Sequence, residues 1–133
     1  MKIAIIITRV LLGLPFLIFG LNHFIPVIPH PPLDGVALDY MMGLTKVGYF
    51  WPLLRGLEVF IGIALLSGRF VPLALAVLAP ISLHIFLFHA FVLIANLPLA
   101  IIILVLHIFL IVKYWAYYKQ IFTMKSEPKI KLI

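Results

Sequence analysis

Arg55 and Glu58 stand three residues apart in WPLLRGLEVFIGIALLSGRF, residues 51–70, inside an otherwise apolar run. A helix of roughly twenty residues at ~1.5 Å each covers about 30 Å, the depth of a bilayer's hydrocarbon core, so both charges fall within a membrane-crossing helix. Near mid-bilayer each charge costs on the order of 2.5–3.5 kcal/mol on insertion scales, and a chain that keeps two must pair or hydrate them. Their spacing puts them on one helix face, which must look inward. Such a pair can clamp helix register, or it can offer a charged floor to a bound polar ligand.

Depth decides which other polar side chains can join them. Counted from the terminal side of each apolar run at ~1.5 Å per residue, Arg9 lies about 9 Å deep, Glu58 about 13 Å, His107 about 16 Å, Arg55 about 18 Å and His84 about 21 Å. Asn22, His23 and His89 come at about 28–30 Å by the same count. Glu58 thus lies between two arginines, and an Arg9, Glu58, Arg55 network would satisfy all three charges. Above it Asn22, His23, His84 and His89 form an outer tier without fixed charge. Read together, Asn22, His23, Arg55, Glu58, His84 and His89 outline a ligand site in which an imidazole above a carboxylate can move a proton. His107, alone in an apolar helix, reads as a hydrogen-bonded packing residue. His84 and His107 are the pair that would serve as axial haem ligands, but their depths differ by about 5 Å, and haem is not favoured. His23, Glu58, His84 and His89 lack tight metal-ligand spacing, and no metal site is expected.

The elements that must position these residues follow from composition. Of 133 residues 65% are hydrophobic and 11% charged, and mean hydropathy is +1.28. That leaves too little polar surface to coat a water-soluble globule. The apolar residues fall into four blocks, about 3–24, 49–67, 70–91 and 97–118, each long enough to span a bilayer. The expected fold is all-α, a polytopic membrane four-helix bundle in one domain, residues 1–119, with a basic cytoplasmic tail, 120–133. Arg9, Gly13, Phe16, Gly20 and His23 recur at four- and three-residue steps along one face of the first helix, where the small residues admit a neighbour.

Between helices 1 and 2 the connection 25–46 carries Pro26, Pro29, Pro31 and Pro32, so its first part cannot be helical. Residues 34–44 suit a short interfacial helix capped by Asp34 and stopped at Gly43, either a linker or a lid over the outer mouth of the bundle. Pro80 should kink the third span, and Pro98 sits where the fourth can begin.

The first block has Lys2 ahead of an apolar run but no small-residue cleavage site, so it should remain attached. Without cysteine the chain has no disulfide and no thiolate chemistry of its own, and a redox role needs a bound cofactor or a partner. The net charge of +6 comes from membrane-flanking residues rather than a nucleic-acid face. Lys2, Arg69, Lys119, Lys125, Lys129 and Lys131 fall on one side and Lys46 on the other, which predicts both termini in the cytoplasm. Aromatic belts at Tyr114, Trp115, Tyr117 and Tyr118 and at Tyr49, Phe50 and Trp51 suit the two interfaces.

GLNHF at the end of the first helix, TKVGYFWPLLRGLEVFIGIALLSGRFVPLAL across the second turn and APISLHIFLFH in the third helix together resemble the DoxX-like family of small four-helix membrane proteins. The resemblance covers residues 9–89. It implies a four-helix bundle and, for some members, association with quinone-linked oxidoreductases such as thiosulfate:quinone oxidoreductase or with membrane-bound oxidative-stress complexes. A bacterial or archaeal cytoplasmic membrane is the expected location. The leading expectation for function is a quinone- or small-molecule-binding subunit of a membrane oxidoreductase. Expected partners are lipid, oxidoreductase subunits and a second copy of the chain, with no nucleic acid. The alternative is a non-enzymatic membrane scaffold or lipid-interacting assembly protein.

Overall fold

The computed structural model describes residues 1–128; Lys129, Ile130, Lys131, Leu132 and Ile133, the last part of the basic tail, lie outside the described residues. The long apolar runs form helices: α1 (Lys2–Phe24), α3 (Phe50–Ser67), α4 (Val71–Phe91) and α5 (Leu97–Lys113), with a shorter α2 (Gly35–Lys46) after the proline-containing segment. Four helical stretches, Lys2–Phe24, Phe50–Ser67, Val71–Phe91 and Ile94–Lys113, are long and apolar enough to cross a membrane. No strand occurs among the described residues. Ile7, Leu11, Ile18 of α1 and Ile102, Val105, Val112 of α5 turn outward and are exposed. In water these would be large uncovered apolar faces, whereas lipid solvates them. The chain is a multi-pass helical membrane protein.

α1 lies along α3 because glycine removes the side chains that would hold them apart. A Cβ on Gly62 would fall 2.6 Å from Leu17 Cβ and 2.7 Å from its backbone nitrogen, and one on Gly20 would fall 3.0 Å from the Arg55 carbonyl oxygen. The small-residue face of α1 therefore meets α3 backbone to backbone. α4 packs on α3 and α5, and α5 also touches α1. The fully covered side chains, among them Leu12 of α1, Ile61 and Leu65 of α3, Leu75 and Leu78 of α4 and Leu110 of α5, gather in one half of the bundle, around the second half of α3 and the part of α4 before Pro80. The opposite half, built from the first half of α3, the end of α4 and the overlying α2, is less closely filled.

Two boundaries differ from the sequence expectation. α2 runs through Gly43 to Lys46, and Asp34, at its N-cap, makes no side-chain capping bond. An interior glycine costs a helix only about 1 kcal/mol, whereas Gly48, two residues past the end, holds φ +79°, a left-handed conformation that suits a glycine after a helix. α5 stops at Lys113 instead of reaching 118, and a short 3₁₀ turn, Trp115–Tyr117, follows. The reason is tertiary: the buried Tyr118 donates its hydroxyl to the Pro72 carbonyl in the first turn of α4, at 2.6 Å.

Burial, with Tyr114 adding to it, pushes the Tyr118 hydroxyl up to about 12 from an ordinary value of 10.0. A value raised in the folded state stabilises below the ordinary one, and the contribution is lost as pH climbs from about 10 through about 12. Tyr118→Phe should therefore flatten the alkaline fall in melting temperature measured in detergent, and cost roughly 1 kcal/mol at neutral pH for the lost hydrogen bond. Identical pH profiles for the two proteins would show that this segment does not dock on α4.

Candidate functional site

α3 enters the loosely filled half with Trp51, Arg55 and Glu58 at four- and three-residue steps on one face. Arg55 Nη1 donates to Glu58 Oε2 at 2.7 Å. The glutamate side chain is 5% exposed and the arginine 24%. The guanidinium carbon also lies 5.2 Å from the centre of the Trp51 ring, so the cation is held at one edge by a carboxylate and on one face by an indole. Trp51 in turn donates its N–H to Thr45 Oγ at 3.0 Å, and Thr45 donates to the Met41 carbonyl at 2.9 Å. These bonds tie the end of α2 to the start of α3.

α4 supplies the facing wall. Tyr40 of α2 hydrogen-bonds through its hydroxyl to His84 Nε2, and its ring lies 5.8 Å from the His84 ring and 5.3 Å from Phe88. Burial pushes the Tyr40 hydroxyl up, so the phenol keeps its proton and donates. His84 Nε2 is then the acceptor of this bond, and Nδ1 is the ring nitrogen left to donate. His89 donates from Nδ1 to the carbonyl of Ile85, one turn back, at 2.8 Å, leaving Nε2 open. Tyr40, Arg55, Glu58, His84 and His89 line one pocket of about 300 Å³, whose walls include Leu44, Phe50, Trp51, Leu54 and Phe88.

The remaining polar residues go elsewhere. His23 and Arg55 line a neighbouring pocket of about 410 Å³. Asn22 lines neither: its Oδ1 accepts from the N–H groups of Val27 and Ile28 at 2.9 and 2.8 Å, and its Nδ2 donates to the Ile28 carbonyl at 3.0 Å. It is a clamp for the proline segment, because prolines cannot bond that chain to itself. Arg9 corrects the expected three-member network: no ion pair joins it to Glu58 among the described residues. Its guanidinium lies instead against Gly68, 2.9 Å from where a Cβ would stand there, at the C-terminal end of α3. The partial negative charge of a helix C-terminus favours a cation. His107 is buried and donates from Nε2 to the Leu75 carbonyl at 2.9 Å, in the packed half of the bundle.

Sequence reasoning missed Tyr40, Trp51 and His30 as pocket residues. For Tyr40 a signal existed: Tyr40, Met41 and Leu44 share one face of α2, and all three line the pocket.

The fold and site define a multi-pass helical membrane protein with a part-polar pocket beneath a short helix that does not itself span. Comparison with protein-family models, curated proteins and solved structures finds no match to the chain.

Proposed function

We propose that this chain is a DoxX-like membrane protein that binds a small ring-bearing ligand of the quinone class, as a subunit of a membrane oxidoreductase. The observation supporting this reading is two polar pairs, Arg55 with Glu58 and Tyr40 with His84, lining one apolar pocket. A pocket of about 300 Å³ is at the small end for organic ligands and suits a single ring whose apolar chain runs out toward lipid. Phe50, Trp51 and Phe88 supply flat walls. Tyr40 and Arg55 are placed to donate hydrogen bonds to ring oxygens, and His84 and Glu58 stand behind them as groups that hold or release a proton. A quinone supplies two-electron chemistry coupled to two protons, and the electrons come from a partner subunit with its own redox centre. α2 acts as a lid, opening as the bonds from Tyr40 to His84 and from Trp51 to Thr45 exchange with the ligand.

In this reading both termini are cytoplasmic in a bacterial or archaeal cytoplasmic membrane, and the pocket opens toward the outer face. Six of the seven basic residues outside the helix interiors lie on the side of the termini, which supports that orientation. A reporter fused after Ile133 should be active as a cytoplasmic fusion and silent as an exported one; the reverse pattern would invert the topology.

Organic extraction of the purified protein tests the ligand. The extract should carry a compound whose ultraviolet spectrum changes on borohydride reduction, and the combined His84→Ala, Glu58→Gln variant should retain a tenth or less of it. If the extract holds only lipid and an added water-soluble benzoquinone does not bind, the scaffold reading replaces this one.

A further inference from the structure

We infer that the second pocket, which adjoins the first and shares Trp51 and Arg55 with it, is a binding site for a phosphate-type oxyanion. It has about 410 Å³ of space, and the side chains that give it chemistry are His23 of α1, His30 of the proline segment, Thr45 of α2, and Trp51 and Arg55 of α3. No carboxylate lines it; Glu58 faces the first pocket.

The donor inventory points to an anion. The one hydrogen bond of the Arg55 guanidinium among the described residues leaves from Nη1 to Glu58, so Nη2 and Nε remain to donate. Thr45 has no donor left for an anion, since its proton goes to the Met41 carbonyl while its oxygen accepts from Trp51. His23 and His30 make no hydrogen bond among the described residues; the His23 ring stands at 87° to that of Phe24, 5.1 Å away. The unspent polar groups are therefore a planar guanidinium fork and two imidazoles. A fork of this kind matches the oxygen spacing of phosphate, and an imidazole adds a donor to a third oxygen. Glu58 already takes one donor of Arg55, and the His23 and His30 rings add further N–H donors on the same pocket wall.

The loop is built to hold His30 in place. Asn22 pins Val27 and Ile28 over the end of α1, and Pro29 and Pro31 flank His30, fixing the backbone on both sides. A pre-set loop loses little entropy when it binds. This pocket lies at the end of the bundle where α1 leaves its apolar run and α3 enters its own. The same chemistry takes a phospholipid headgroup or free phosphate.

The experiment compares the wild-type protein with His30→Gln and with the His23→Gln, His30→Gln pair; none of these positions lines the first pocket, so ring-ligand retention there reports separately. Inorganic phosphate is titrated calorimetrically into protein in an uncharged detergent, and lipid retention is read by native mass spectrometry from bilayer discs mixing phosphatidylglycerol with phosphatidylcholine. Saturable phosphate binding, weakened at least tenfold by the paired change, assigns the site to a free oxyanion. Selective retention of phosphatidylglycerol, lost to the same degree in the pair and in part in His30→Gln, assigns it to a headgroup. Absence of both kinds of binding, or binding that survives the histidine changes, overturns the inference.

Discussion

Arg55→Ala should lower the thermal stability of the protein in detergent more than Arg55→Leu combined with Glu58→Leu. Removing the arginine alone leaves Glu58, 4% exposed, without the cation that holds it at 2.7 Å. Breaking a buried pair from one side typically costs ~3–5 kcal/mol, while replacing both partners with apolar groups of similar volume is often near neutral. Arg55 is about a quarter exposed, so the lower end of that range, about 3 kcal/mol, is expected. Arg9 would soften the loss if it could reach Glu58, but its guanidinium is placed at Gly68. Equal melting of Arg55→Ala and wild type would mean that the pair contributes nothing to holding the fold.

Two alanine substitutions in one helix should have opposite signs. Gly62→Ala puts a Cβ 2.6–2.8 Å from the backbone nitrogen, Cα and Cβ of Leu17, atoms that cannot move without shifting α1. Overpacking of this kind costs about 1–3 kcal/mol and sometimes more, well beyond the gain of up to about 1 kcal/mol from helix propensity. Gly56→Ala meets nothing within 4 Å, so propensity alone acts and stability should hold or rise. Unfolding in detergent, followed by helical circular dichroism, reads both. A Gly62→Ala protein as stable as wild type would show that α1 and α3 are not in backbone contact.

The pair at Arg55 and Glu58 was legible because it is local. Three residues along a helix bring two side chains to one face whatever the rest of the chain does, and the observed bond joins those two atoms groups. Arg9 was misread because depth was the only coordinate in hand. Residues at similar depth on different helices meet only if the helices are rotated toward each other, and Gly13, Gly20 and Gly62 set that rotation, since a Cβ at any of them would fall 2.6–2.9 Å from the facing helix. Asn22 read as a site residue because a polar side chain at a helix end looks the same whether it faces a ligand or its own loop. Only the positions of Val27 and Ile28 decide between these.

By itself the sequence determined the solvent, the all-helical class and the four long apolar helices, since length and hydropathy act segment by segment and need no partner. It also determined that the segment after α1 could not be helical, because four prolines in seven residues remove the donors a helix needs. Tertiary structure decided which polar groups share a pocket. Tyr40 reaches His84 across 44 residues of chain and Tyr118 reaches Pro72 across 46, contacts that no periodicity within a single helix encodes. They depend on how α2 lies over the bundle and where α5 ends, and both are set by packing between helices.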